Sequence, residues 1–438
     1  MSGLLVGPVV PARADEPGTP TPTEATEPAG PTEPSEPSEP SEPTEPSEPS
    51  EPTEPADYRF LSSPDFLNGD VGDVTRSGSY RNGQPNSIND DYRDALRVVM
   101  DVFAAEQPDD VFVAGDLVEG HWGLDSSGTG TFGPVRTYPE RVAAVRRAGR
   151  LYFRQWRSRF SARGLDVHAA VGDHELGDNP WARSGAPYPR FKHRAFGVFK
   201  DVFADHIVAP QGYRSRPAGP AHATAYAVRL HREVLLVTVD VFRRTDTGVV
   251  SQLDPRQLAW LERVLARAQL DGVDWTIVQG HTPVLGPVRQ RASSGLYYSG
   301  GRTSPFWRTM RNRGVDLYLS GEVHEVTAIR RDGVTQVSHG GIFTSGGTNY
   351  LLGEVRGDRL ALAAVDLVGR SGGPVGPQLW QTDARKTPSA FVTYDRSPVT
   401  TGTMVLGADR TVRTPGSGTL APWESTTDKT EPPARAAR

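Results

Sequence analysis

Four short apolar segments of the chain end alike. Val111-Phe112-Val113-Ala114 runs into Gly115-Asp116, and Ala169-Ala170-Val171 into Gly172-Asp173-His174-Glu175. Thr276-Ile277-Val278-Gln279 runs into Gly280-His281, and Leu317-Tyr318-Leu319-Ser320 into Gly321-Glu322-Val323-His324. Each run has the length and composition of a buried strand, stops at Gly, and is followed by a residue able to ligate a metal. Gly permits a tight turn and close backbone approach at a strand end. Where helices wrap a sheet, ligands gather in the crevice beyond the strands' carboxyl ends. Neighbouring strands lie about 5 Å apart, so four such ends can aim oxygen and nitrogen donors at one point. One Gly-Asp after a strand is an ordinary turn, and one His an ordinary polar residue. Four in order, with Glu322 and His324 two positions apart, point to a site for one or two metal ions.

Composition narrows the donors. The 438 residues include no Cys, which excludes disulfides, thiolate metal sites and Cys nucleophiles together. Any metal must be held by imidazole, carboxylate, amide oxygen or water. The net charge of −5 is unevenly spread: Asp15 to Ala56 holds twelve acidic and no basic residues, leaving 47 basic against 41 acidic in residues 57–438. A mildly basic body suits an anionic substrate. It lacks the basic clusters or aromatic-basic interleaving of a nucleic-acid binder, and no apolar run reaches the ~18–20 residues of a membrane span.

The elements that must position these residues follow from periodicity. Tyr58–Ser62 reads as a first strand. Residues 88–106 form a helix with Ala95, Val98, Val99, Val102 and Phe103 on its apolar face. A second helix spans 140–160, and strand 167–171 follows. Residues 225–230 and 233–239 pair as a hairpin. Asp254-Pro255 supplies an N-cap and a first-turn Pro for a helix through Leu258, Leu261, Val264 and Leu265. Strands 275–278 and 315–319, a hairpin 327–337 turning at Asp332-Gly333, and strand 360–367 complete the set. Strands alternate with helices early and gather as hairpins late, which predicts an α/β fold of mixed sheets covered by helices. The single Gly-x-Ser-x-Gly, Gly369 to Gly373, runs on into Pro374 rather than a helix. It therefore reads as a turn, not a nucleophile elbow.

The ends of the chain differ from its body. Residues 1–14 carry Leu4–Val10 and then Ala12-Arg13-Ala14, which resembles the tail of a secretory signal peptide without its basic start. Residues 15–56 repeat Ser/Thr-Glu-Pro, a stiff, solvated, acidic linker with nothing apolar to bury. Together they lead us to expect an extracytoplasmic protein, secreted or held at the cell envelope. Residues 57–396 read as the one folded domain, and 397–438, rich in Thr, Pro, Ser and Gly, as a loose tail.

The strand-end motifs, taken together from about Tyr58 to Val368, resemble the calcineurin-like metallophosphoesterase family, whose blocks are roughly D-x-H, G-D-x-x-[DN], G-N-H-[DE], G-H and G-H-x-H. Gly115-Asp116-Leu117-Val118-Glu119 matches the second block, Gly172-Asp173-His174-Glu175 the third, Gly280-His281 the fourth, and Gly321-Glu322-Val323-His324 the fifth. Asp173 stands in place of Asn, and Glu322 in place of the first His of the last block. The first block falls in Ser62-Ser63-Pro64-Asp65-Phe66-Leu67-Asn68. Either Asp65 is the family Asp and Leu67 occupies the His position, or Ser63 and Asp65 take the two places. Asp65 is the best candidate in both registers, with Asn68 and Asp70 as substitutes.

The resemblance implies a sandwich of two mixed β-sheets flanked by helices and a site for two divalent ions (Mn, Fe, Zn or Ca). Asp116 would bridge the ions. Asp65 and His324 would complete one position, and Asp173, His281 and Glu322 the other. A metal-bridging hydroxide would attack the phosphorus of a phosphate monoester or diester, and His174 would protonate the leaving oxygen. Glu119 and Glu175, one step behind the ligands, would brace the loops or touch metal. His121, Arg289 and His339 are candidate substrate contacts. The alternative is a surface-binding protein that keeps the fold while its altered ligands have cost it catalysis.

Overall fold

The computed structural model describes residues 56–66, 90–124, 132–289, 295–341, 348–372 and 391–423. Residues 1–55, with the signal-like segment and most of the acidic linker, lie outside them, as do Asn68 and Asp70. In chain order the first strands are β1 (Tyr58–Ser62), β2 (Asp110–Val113) and β3 (Val167–Ala169). Helices α1 (Asp90–Ala105) and α2 (Tyr138–Ser161) are the crossovers between them. After α3 (Pro187–Arg194) and α4 (Phe196–Phe203) come β4 (Tyr226–His231) and β5 (Val234–Thr238). A small ribbon of β6 (Phe242–Arg244) and β7 (Val249–Ser251) leads to α5 (Pro255–Leu270) and β8 (Trp275–Gln279). Then follow α6 (Pro305–Asn312), β9 (Leu317–Ser320), β10 (Thr327–Arg331) and β11 (Val334–Ser338). The chain closes with β12 (Thr348–Arg356), β13 (Arg359–Leu367), β14 (Gly369–Gly372), β15 (Phe391–Tyr394), β16 (Val399–Gly407) and β17 (Val412–Thr414).

Two large sheets result, ordered β17-β16-β13-β12-β1-β2-β3 and β10-β11-β9-β8-β5-β4. Both are mixed. β1, β2 and β3 run parallel at one end of the first, and β11, β9, β8 and β5 are parallel in the second. The period-2 alternation of each strand decides what it buries. Phe60 and Phe112 from the first sheet meet Val234, Leu236, Ile277 and Leu319 from the second in one apolar cluster. Their neighbours Leu61, Val111, Val113, Leu235 and Val278 face the other way, into the cluster with Val99, Phe103 and Trp156 of α1 and α2 and with Leu261 and Trp307 of α5 and α6. The architecture is the helix-flanked sandwich of two mixed sheets that the motifs imply.

Local chemistry sets the helix starts as the residues predict. Asp254 accepts from the backbone N–H of Arg256 and Gln257, with Pro255 at the first position. Thr137 and Glu140 form a reciprocal capping box that starts α2. Two expectations need correction. The segment from residue 397 is not loose: β16 pairs with β13 from Arg359↔Gly407 to Asp366↔Val399. Met404, Leu406 and Leu420 belong to the core between the sheets. Its apolar residues alternate with Thr and Gly, a half-buried strand pattern hidden in a polar composition. Gly369–Gly372 is likewise no turn, but β14, antiparallel to β15.

Truncating the chain after Ser397 removes those three buried side chains and bares the edge of β13. We expect a loss on the order of 4–8 kcal/mol of stability in urea denaturation, with aggregation at the exposed edge. A truncated protein as stable as the parent would contradict this placement of β16.

Candidate metal centre

The carboxyl ends of β1, β2 and β3 and of β8, β9 and β11 meet at one edge of the sandwich. Hydrogen bonds lock them there. Asp65 N–H donates to the Gly115 carbonyl at 3.1 Å, Gly280 N–H to Leu319 at 3.1 Å, and Gly321 N–H to His281 at 2.9 Å. Asp65, Asp116, Glu322 and His324 all have positive φ, between 56° and 71°. Side-chain-bearing residues rarely adopt that region, and such strain persists where the surroundings over-determine it. These backbones are bent out of the strand direction and hold their side chains inward.

His281, fully buried, is the hub. Its Nδ1 faces the Ala114 carbonyl at 2.8 Å. A carbonyl can only accept, so Nδ1 carries a hydrogen and Nε2 is the atom turned to the site. Nε2 lies 2.9 Å from Asp173 Oδ1, 3.3 Å from Asp116 Oδ2 and 3.4 Å from Glu322 Oε2. A lone pair and three carboxylate oxygens so arranged repel unless a cation, proton or metal, sits among them. The pKa directions express that tension. Burial lowers His281, yet Asp116, Asp173 and Glu322 raise it well above the ordinary value. Burial, with the charges of neighbouring carboxylates, raises Asp65 and Asp116. Burial would raise Asp173 too, but its bond to His281 and the His174 charge outweigh that and lower it.

Asp65 extends the cluster. Asp65, Asp116 and His281 offer donor atoms within 4.8 Å of one another, as do Asp173, His281 and Glu322, and Asp116, Asp173 and His174. Asp65 Oδ1 accepts from Glu322 N–H at 3.1 Å, while its buried Oδ2 has no hydrogen-bond partner among the described residues. His324 lies 3.8 Å away through Nε2. Its Nδ1 is also buried and unpartnered, and burial pushes the ring down to about 3, so it is neutral. A neutral buried imidazole beside an orphaned carboxylate oxygen fits a cation ligand set. Asp116 and Asp173 both belong to groups on more than one side, the placement a shared donor needs.

The residues around this core have separate tasks. Glu175 is buried and accepts three backbone N–H bonds, from Asp116 and Leu117 at 2.8 Å and from Gly172 at 2.7 Å. It splints the β2 and β3 loops and, with both oxygens so used, is a brace. Gly172 has no room for a side chain, since a Cβ there would collide with Asp116 Oδ1. His174 Nδ1 donates to the Glu119 carbonyl at 2.9 Å, and Nε2 stands 3.9 Å from both Asp116 Oδ2 and Asp178 Oδ1. Burial lowers His174, but Asp116, Asp178, Asp173 and Glu119 raise it well above the usual value. His121, at the half-exposed rim, bonds Asp178 Oδ2 through Nε2 at 3.0 Å, its ring 6.2 Å from that of His174. Asp178 and Asn179 are absent from the sequence reading, yet Asn179 donates to both Asp173 Oδ2 (3.0 Å) and Asp178 Oδ1 (3.2 Å). The Gly177-Asp178-Asn179-Pro180 turn directly after the third motif was the signal.

Two candidate substrate contacts are otherwise employed. His339 is fully buried and bonds Ser62 Oγ at 2.9 Å; burial pushes it down to about 4. It ties the end of β11 to the end of β1. Arg289 donates to the carbonyls of Val326 at 2.8 Å and Thr419 at 3.0 Å, and lies over the Trp423 ring. Its charge anchors the C-terminal segment, whose docking no local motif could announce.

Fold and site together define an α/β sandwich carrying a buried carboxylate–imidazole centre at converging strand ends. The calcineurin-like phosphoesterase profile matches residues 69–326, and the chain belongs to that family of metal-dependent phosphoester hydrolases. Among solved structures it is similar to a dimetal phosphatase from Danio rerio, with 14% identity, TM-score 0.44, and 71% of this chain and 96% of that one covered. It is similar too to PhoD, with 13% identity, TM-score 0.47, and 85% and 73% covered. No curated protein matches.

Gly172→Ala tests how tightly the site is built. Displacing the Asp116 carboxylate should weaken binding of added Mn²⁺ about tenfold or more in calorimetric titration, with the circular dichroism spectrum unchanged. Undiminished affinity would remove Asp116 from the ligand set.

Proposed function

We propose that the chain hydrolyses a phosphate monoester or diester, with two divalent ions held by Asp65, Asp116, Asp173, His281, Glu322 and His324, and with His174 as proton donor. The observation that carries this reading is the Nε2 of His281 facing three carboxylate oxygens, an arrangement that requires a cation. Asp116 suits the shared position, Asp65 and His324 one flank, and Asp173, His281 and Glu322 the other. Bound there, divalent ions would supply Lewis acidity toward the phosphoryl oxygens and acidify the attacking water. The donors are all hard oxygens or imidazoles, which suit Mn, Fe, Zn or Ca and favour none by type alone.

The chain's own residues supply position and a proton. Asp65, Asp116, Asp173, His281 and Glu322 are almost wholly buried, so the reacting group meets preorganised donors in place of bulk water. With Nδ1 of His174 committed to the Glu119 carbonyl, its second proton resides on Nε2, the nitrogen toward Asp116. The surrounding carboxylates favour that protonated form. Such a group can hand its proton to a leaving alkoxide.

Purified protein should therefore contain about two divalent ions per chain and hydrolyse an aryl phosphate. His281→Ala should lose both metal, measured by elemental analysis, and turnover; unchanged turnover would sink the ligand assignment. His174→Ala should keep its metal and slow by ~10²–10⁴ on an alkyl ester, and less on an aryl ester whose leaving group needs no proton. Metal-free protein that still adheres to cell-surface material would favour the binding-protein reading.

A further inference from the structure

Arg141, Arg183, Arg190, Arg194 and Arg244 face a common space in a cleft of about 660 Å³, with Asp246 the single carboxylate on its walls. Several arginines elsewhere have acidic partners: Arg59 with Glu354, Arg163 with Asp101, Arg313 with Glu262, Arg413 with Asp358. None of the five cleft arginines has one among the described residues. Two are held in place by neighbours of other kinds. Arg194 stacks on the Tyr138 ring at 3.7 Å, and Arg141 donates to the Gly123 carbonyl at 2.6 Å. Five like charges converging with one carboxylate among them repel one another, and an anion between them relieves that.

Two contacts tie the walls of the cleft to loops of the candidate metal centre. Gly123, which anchors Arg141, is two residues past His121. Helix α3, which carries Arg190 and Arg194, sends the ammonium of buried Lys192 to the Asp178 carbonyl on its other side. The next residue, Asn179, donates to Asp173. Helix α3 and the turn at 178–179 thus connect the arginines to Asp173, a candidate metal ligand.

We infer that this cleft binds the flanking phosphates of a substrate that carries several phosphodiester-linked phosphates, while one of them occupies the metal centre. The inference rests on the phosphoesterase reading of that centre. Guanidinium forks match phosphate oxygens bidentately, and five of them, spread over α2, α3, the turn at 183 and the β6–β7 ribbon, fit an extended anion better than a single phosphoryl group.

Binding can be measured apart from catalysis. The probe is a fluorescein-labelled hexamer of abasic deoxyribose phosphate, titrated with the EDTA-treated full chain and followed by anisotropy. The parent should bind it, and Arg190→Glu/Arg194→Glu and Arg183→Glu/Arg244→Glu should each bind at least about tenfold more weakly. Both pairs are exposed, and Arg190→Lys/Arg194→Lys, which keeps the charge, should recover most of the affinity. A parent that ignores the hexamer, or charge-reversed variants that bind it undiminished, would overturn the inference. A hexaglutamate that binds as tightly as the hexamer would overturn its phosphate class. His281→Ala separates the two readings: it should bind the hexamer normally while losing turnover. If it keeps turnover instead, the reading of the metal centre fails and not the binding result.

Discussion

Asp65, Asp116, Asp173 and Glu322 are each at most 3% exposed, and His281 or Asp116 stands beside each of the others within 4.8 Å. Four carboxylates cannot be taken out of water together without compensating positive charge, since each isolated ion would cost several kcal/mol. The rest of the site is intelligible as the means of enforcing that arrangement. Positive φ at Asp65, Asp116, Glu322 and His324 is strain that a free loop would relax. It persists because the loops are nailed down by the three N–H bonds to Glu175 and by the ladder of bonds between strand ends. A site so built waits for cations without rearranging, which is what preorganised electrostatics requires.

The same contacts clasp the two sheets. The first sheet supplies Asp65, Asp116 and Asp173; the second supplies His281, Glu322 and His324. The bonds across this end are polar and buried: His281 Nδ1 to the Ala114 carbonyl, Glu322 N–H to Asp65, His339 to Ser62, and Gln279 Nε2 to the His168 carbonyl at 3.1 Å. The body of the sandwich between the sheets is apolar. Hydrophobic burial fixes that the sheets stack, and the polar clasp fixes their register at the site. Metal affinity and sheet alignment would therefore be coupled, because the candidate ligand positions and inter-sheet bonds are properties of the same few residues.

Much of this was legible because strand ends punctuated by Gly and a ligand are a local signal. Periodicity placed β1, β4, β5, β8 and the hairpin turning at Asp332-Gly333 within a residue or two, and the capping residues placed α5. What escaped depends on non-local contacts. β12 is central, between β1 and β13, yet its Tyr350-Leu351-Leu352-Gly353 does not alternate cleanly. Gly353 is there because the Phe60 ring lies where its Cβ would be, a partner some 290 residues away that no window could reveal. β16 hides among Thr and Gly for the same reason. Asp178 was missed because its importance comes from the fold of a turn, which carries it back to His121 and His174, and Arg289 was misread because two of its partners, Thr419 and Trp423, lie beyond the last strand, some 130 residues on.

The departures from the family pattern have an electrostatic consequence that connects the centre to its surroundings. Where the pattern has an amide and an imidazole, Asp173 and Glu322 add two negative charges. The four carboxylates then carry a formal −4, which two divalent ions would cancel outright. A family-pattern centre keeps net positive charge and attracts a phosphoryl anion by itself; a neutral centre polarises bonds at contact distance but exerts little pull beyond it. Attraction and orientation of an anionic substrate must then come from charge placed nearby but outside the ligand shell. The arginines between α2, α3 and the β6–β7 ribbon, linked to the Asp173 loop through Lys192 and Asn179, would be such charge. Their lack of acidic partners and the surplus of carboxylates at the centre are complementary: with metals bound, the positive field that the ligand exchange would remove from them would be supplied by the arginine wall.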